Sequence, residues 1–184
     1  MQSLLIILVA ATVILLTLAL GLFLFPKQLH APQAALMILT SPSFQANEKI
    51  PTKFSCDGGN FNPELHIQNV PDNAKSLALI MDDPDATGGR TFTHWIVWNI
   101  DPKTMVIKEE SVPPASIEGK NDAGKIGYAG PCPPSGSKPH RYFFKLYALD
   151  AVLDLKEGAA KTELECATTN HTIAQAELIG LFGR

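Results

Sequence analysis

From Leu4 to Phe25 the chain is apolar and uncharged without a break, a run of about 22 residues that would span roughly 33 Å as a helix. That length matches a hydrocarbon core of about 30 Å. A cleaved signal peptide is the alternative, but its apolar region is typically about 7–15 residues behind a basic start. Met1-Gln2-Ser3 offers no basic side chain, although small residues suited to cleavage occur at Ala31, Ala34 and Ala35. Residues 1–29 are therefore expected to be an N-terminal membrane anchor and linker, and residues 30–184 a separate domain.

Beyond Pro26 the apolar runs become short and alternate with a period of two, the signature of strands. Leu77 to Met81 reads as a buried strand closed by the acidic turn Asp82-Asp83-Pro84-Asp85. His94 to Ile100 carries both tryptophans. Trp95 and Trp98 point to opposite faces, as core residues of a strand buried on both sides would. In the run His140 to Leu149, His140, Tyr142, Phe144, Leu146 and Ala148 share one face, while Arg141, Phe143, Lys145 and Tyr147 share the other. Met37-Ile38-Leu39, Ile50 to Cys56 and the half-exposed alternation of Leu65 to Val70 add further strands. Thr162-Glu163-Leu164-Glu165 reads as a capping box opening a short helix, and His171 to Phe182 suits either a strand or a helix. The expected fold is mainly β: an antiparallel β-sandwich with one or two short helices near the C-terminus, preceded by an N-terminal transmembrane helix.

Charge narrows the function. All of the 15 basic and 18 acidic residues follow Pro26, and the net charge is −3. A mildly acidic domain with arginine only at 90, 141 and 184 lacks the footprint of a nucleic-acid binder. Lys27 weighs for a cytoplasmic domain under the positive-inside rule. N-terminal apolar segments more often export the domain behind them, so an extracytoplasmic, membrane-anchored domain is expected, or a secreted one if the segment is cleaved. The three cysteines, Cys56, Cys132 and Cys166, have no metal-binding spacing. They are expected to fill space as buried thiols, with a reactive Cys132 near His140 as the alternative and any pairing left open.

The chemistry gathers in two stretches. Gly127 to Asp150 joins a loop stiffened by Pro131, Pro133 and Pro134 to the His140-Arg141-Tyr142 threshold of a core strand, and Ser76 to Asp101 holds the acidic turn and His94. The order DPDA, HW, GPCPPSG and HRY resembles the phosphatidylethanolamine-binding protein family, and more closely its bacterial, Raf-kinase-inhibitor-like branch, from about Thr40 to the C-terminus. Thr87 stands where the family motif usually ends in proline, and Asn62-Pro63-Glu64-Leu65 lacks one further proline.

The resemblance implies a small pocket at one end of the sandwich that takes phosphate or a phospholipid head group. Asp83, Asp85, His94, Gly130, Pro131, His140 and Tyr142 match its ligand-binding positions. It also implies ligand-dependent regulation of a partner protein, a kinase or a protease; in the absence of metal-binding or hydrolase motifs, no catalysis, cofactor or metal is expected. Imidazoles suit an anion as neutral donors or as cations, and the carboxylates suit orienting the histidines or meeting an ammonium. Against these roles stand simpler ones: Asp83 or Asp85 as an Asx cap of its turn, and Arg141 as an ion-pair partner of an aspartate. A hydrolytic centre is the second class, with Ser135, His140 and Asp83 forming a triad on paper.

Overall fold

Strand β4 (Ser76–Asp83) is buried at every one of its eight positions, a pattern open only to a central strand covered on both faces. In this computed structural model, which describes residues 36–184, β4 lies between β5 (Phe92–Ile100) and β8 (His140–Leu149), antiparallel to both. The long strand β9 (Thr172–Phe182) pairs with β8 from Leu149↔Thr172 to His140↔Phe182. That pairing along the whole of β8 decides the helix-or-strand ambiguity of this stretch in favour of strand. Two short strands, β2 (Glu48–Lys49) and β7 (Ile117–Glu118), complete a six-stranded sheet in the order β2-β9-β8-β4-β5-β7. All its pairings are antiparallel except β2 with β9, which is parallel.

A second sheet of three strands, β1 (Ile38–Thr40), β3 (Leu65–Gln68) and β6 (Val106–Ile107), runs in the order β1-β3-β6. Its inward residues Leu39, Leu65, Ile67 and Ile107 pack in one core with Leu79, Met81, Trp95, Val97, Phe144 and Leu146 of the large sheet. The opposite face of the large sheet carries Ala78, Ile80, Ile96 and Trp98, packed with Leu153 and with Leu164 of helix α1 (Lys161–Thr168). Trp95 and Trp98 thus fall in different cores, as their odd spacing requires. Asn99 follows with φ of 56° where the β4–β5 register slips, and its carboxamide both donates to the Leu153 carbonyl and accepts from the Leu153 N–H.

The observed fold is mainly β, with two sheets and one α-helix among the described residues. The expected transmembrane helix lies outside them, and no described helix is long and apolar enough to cross a membrane. Ile50 to Cys56 is not a strand: Thr52–Phe54 forms a 3₁₀ turn. Ile50 and Phe54 are the inward apolar residues there, four positions apart, a helical spacing rather than an alternating one. Helix α1 begins earlier than a Thr162 cap would place it. Its N-cap is Ala160, which has no side-chain acceptor, and only the reciprocal half of a capping box forms, with the Glu163 carboxylate accepting the Ala160 N–H at 2.8 Å.

Candidate functional site

Three strand ends converge at one end of the large sheet: the C-terminal end of β4 and the N-terminal ends of β5 and β8. Asp83 pairs with Phe92 in the ladder, and Asp83, His94 and His140 are all buried. The Asp83 carboxylate has two jobs. Its Oδ1 accepts the Asp85 N–H at 2.8 Å, an Asx turn, while its Oδ2 lies 2.8 Å from His140 Nδ1. The cap and the histidine-orienting role are both filled by one side chain.

His94 is held in the same way by a different partner. Its Nδ1 lies 2.7 Å from the Ala129 carbonyl oxygen, and the Ala129 N–H returns a bond of 2.9 Å to the His94 carbonyl. A carbonyl only accepts, so Nδ1 carries the proton, and in the neutral ring Nε2 is a lone pair. The same holds for His140 against the Asp83 carboxylate. Neutral rings in this arrangement therefore offer an anion no N–H at Nε2, contrary to the expectation that they donate without protonation. Burial pushes the His94 pKa below the ordinary histidine value, against the opposing pull of the Ala129 carbonyl and the Asp83 charge.

These groups wall a cavity of about 340 Å³ whose lining also includes Asn60, Phe92, Lys125, Tyr128 and Gly130. Apolar surface from Ala86, Phe92, Ala129, Pro133 and Pro134 alternates with a few polar groups, the composition of small-molecule sites. Asn121 shapes the rim. Its Nδ2 donates to the Gly127 carbonyl at 2.9 Å, and its Oδ1 accepts the N–H groups of Ala123 and Lys125. Gly130 is required by close approach: a Cβ there would press into the Phe54 carbonyl and the Ser55 backbone, while its N–H donates to Asn60 Oδ1 at 2.8 Å.

Cys56 and Cys132 also line the cavity, and they are joined as a disulfide with Cα atoms 5.4 Å apart. The reading of the cysteines as buried free thiols fails for both, and Cys166 is free but exposed. Residue type alone argues for burial, whereas the disulfide bridges two loops at the surface. It ties the loop after the 3₁₀ turn to the proline loop, reinforced by the Cys56 N–H donating to the Pro131 carbonyl at 3.1 Å. Arg184 adds a clamp, with Nε 2.9 Å from Asp57 Oδ2 and Nη1 3.5 Å from Cys132 Sγ.

Of the seven candidate residues, Asp83, His94, Gly130 and His140 line the cavity, and Asp85, Pro131 and Tyr142 do not. Asp85 faces away and takes Arg141 in a bidentate pair at 2.7 and 2.8 Å, with a third bond from the Arg141 N–H. Arg141 holds its carboxyl down to a pKa of about 2. Tyr142 is fully buried, edge-on to the His94 ring with centroids 5.1 Å apart. Burial and then the Asp83 charge raise its phenol pKa, yet its hydroxyl has no hydrogen-bond partner of ordinary geometry. Ser135 is neither in the cavity wall nor bonded to His140. Among the wall residues that sequence reasoning missed, Phe92 had a signal, since it lies two residues before His94 on the same strand face, and its ring is 4.7 Å from the imidazole. Asn60 and Lys125 had none, because long loops bring them in.

Residues 40–183 match the family described as phosphatidylethanolamine-binding protein. A UPF0098 protein of Pyrococcus horikoshii is 51% identical over 150 residues, covering 78% of this chain and 75% of its own. Among solved structures, a phosphatidylethanolamine-binding protein homologue from Chlamydia trachomatis aligns with a TM-score of 0.77 at 42% identity, covering 81% of this chain and 98% of that one. Escherichia coli YbcL, described as a member of the mammalian family, aligns with a TM-score of 0.77 at 30% identity, covering 82% and 99%.

Proposed function

The chain belongs to the phosphatidylethanolamine-binding protein family, and from that premise we propose that it is a ligand-binding regulatory module whose cavity receives the anionic head of a small molecule, a phosphate or a phospholipid head group. The observation that carries this reading is the pair of buried histidines whose Nδ1 atoms are both engaged, by Ala129 and Asp83. Both rings are thereby held in place, with Nε2 left for a ligand. Protonated, each presents an N–H there, and Lys125 adds a cation at the wall. Apolar wall residues suit the uncharged remainder of such a ligand. We propose further that Leu4 to Phe25 tethers the domain to a membrane and that the domain is extracytoplasmic, which the Cys56–Cys132 disulfide favours. A kinase or protease is the proposed class of partner, regulated rather than chemically altered.

A hydrolytic reading is supported by one feature only, the Asp83–His140 bond, which is how a general base is oriented. No hydroxyl among the described residues is bonded to that imidazole.

Calorimetric titration of glycerophosphoethanolamine into the full chain in detergent, at pH 5.5 and 8, tests the proposal. A phosphodiester is chosen because it has no ionisation near pH 6 to confuse the result. A bound anion raises the histidine pKa values in the complex. Affinity is therefore expected to be strongest below the free-protein values and to fall as pH rises through the complexed ones. His140→Ala should weaken binding by about 1.5–3 kcal/mol, the range for a hydrogen bond to a charged group. Equal affinity of both proteins would sink the pocket assignment, and release of glycerol phosphate by the wild type would put hydrolysis first.

A further inference from the structure

Exposed apolar side chains are unevenly distributed over the described residues. Of the eight large hydrophobic residues that remain exposed, four (Leu36, Ile38, Met105 and Val106) gather at the small sheet. Strand alternation explains the first two: Met37 and Leu39 enter the core, so Leu36 and Ile38 face outward. Across the sheet, Thr40 pairs with His66 and His66 with Val106, so Val106 emerges on the same outer face. The Ile67 N–H donates to the Met105 carbonyl at 2.9 Å, and the Asn69 side chain donates to the Leu36 carbonyl at 3.1 Å. Those two bonds place Met105 and Leu36 toward the same end of β3. At 72% and 85% exposure respectively, they are the least covered apolar side chains described.

The charges that directly bracket the apolar tips of β6 are basic. Lys103 and Lys108 bracket Met105 and Val106, both are exposed, and neither ammonium has an ion-pair partner among the described residues. Of the acidic neighbours, Glu64, Glu109 and Asp101 have partners, whereas Asp72 and Glu110 are exposed with no ion-pair partner among the described residues. Glu64 lies 2.7 Å from His66 Nε2, Glu109 takes Lys53 at 2.7 Å, and Asp101 accepts the Lys103 N–H at 2.8 Å. Apolar tips flanked by free lysines fit the boundary between acyl chains and anionic head groups, where lysine stems lie along apolar surface and their ammonium groups reach phosphate.

Chain length then favours a bilayer as the occupant. The uncharged run ends at Phe25, and only residues 26–35 separate it from Leu36. Fully extended at about 3.6 Å each, those residues reach no more than roughly 35 Å. We propose that the outer face of the β1-β3-β6 sheet and its adjoining β6 edge, at the corner of Leu36, Ile38, Met105 and Val106, form a membrane-docking surface that seats on an anionic bilayer. The proposal rests on the reading of Leu4 to Phe25 as a membrane anchor. None of the four residues belongs to the cavity wall, so docking leaves the cavity open.

The test uses the full chain carrying Cys166→Ser, with a nitroxide attached through Met105→Cys or, as a control, through Ile126→Cys. Ile126 is an exposed apolar residue that neighbours Gly158, away from the small sheet. Each protein is reconstituted into vesicles of phosphatidylcholine containing phosphatidylglycerol, checked by flotation, and probed for relaxation by a water-soluble nickel chelate. The expected result is loss of nickel accessibility at 105 but not at 126, with accessibility restored by Lys103→Glu combined with Lys108→Glu. Protein that floats with the vesicles but shows equal accessibility at both positions overturns the docking surface and leaves the anchor standing. Shielding at 105 that follows the protein-to-lipid ratio assigns the face to a second copy of the chain, and also overturns it. Protein that fails to float removes the anchor, and the docking surface with it.

Discussion

Folding takes the His94 ring out of water with its Nδ1–H committed to the Ala129 carbonyl, and this fixes the sign of the resulting pH dependence. Its folded pKa lies below the ordinary value near 6.5. In the window between the two values the unfolded chain binds the proton and the folded chain does not. Stability is therefore full above about pH 6.5 and declines as pH falls toward the folded pKa, with a limiting slope of about 1.4 kcal/mol per pH unit for one proton. Thermal unfolding of the ligand-free protein between pH 7.5 and 5 should show this decline, and His94→Gln should flatten it. An unchanged slope in the variant would mean that His94 is not the group responsible. The same proton links stability to ligand: an anion that favours imidazolium should offset the acid-side loss. At this scale much is legible in the sequence. Motif order alone leads to Asp83, His94, Gly130 and His140. It also draws in Asp85 and Tyr142, because neighbours in a motif need not face the same way. Asp85 turns outward to Arg141, and Tyr142 lies beneath the histidines.

Elements read well wherever burial is two-sided and long. β4 and β5 announce themselves through continuous apolar runs, because covered central strands need apolar residues on both faces, and β8 through alternation, with Arg141 and Lys145 on its less buried face. The errors come where a buried residue recurs at four rather than two, as at Ile50 and Phe54, and where the helix start depends on a tertiary partner. That partner is Asp82, which is almost wholly buried on the α1 side of the sheet. It lies between Lys145 of β8, at 3.0 Å, and Lys161 of the first turn of α1, at 2.9 Å. No local pattern reveals a carboxylate 79 residues away. Lys161→Met keeps the aliphatic stem but strips one of two cations from a buried charge. A loss of about 1–3 kcal/mol is expected, the range for leaving a buried polar group short of a partner. Urea unfolding would measure it. If the midpoint does not move, Lys145 alone satisfies Asp82 and the clamp contributes little to seating α1.

At the scale of the molecule, the site is assembled from pieces far apart in sequence, held by links of unequal range. The disulfide spans 76 residues, and closing a loop of that length in the unfolded chain is worth about 4.5 kcal/mol in the chain-entropy account. Its position in the cavity wall couples that stabilisation to the shape of the site. Sequence alone leaves the pairing open, because three cysteines allow several partners and only the folded loops bring Cys56 to Cys132. The family match begins at residue 40, and the core begins at Met37. Residues 30–184 are therefore expected to fold without the N-terminal run. A chain beginning at His30 should stay soluble without detergent, unfold in one cooperative transition, and keep the glycerophosphoethanolamine affinity of the full chain at pH 5.5. Aggregation, or a broad non-cooperative melt, would show that the apolar run contributes to the core. Cooperative unfolding with lost affinity would instead show that the cavity draws on the N-terminal segment, and that the site is larger than the strand ends and loops that wall it here.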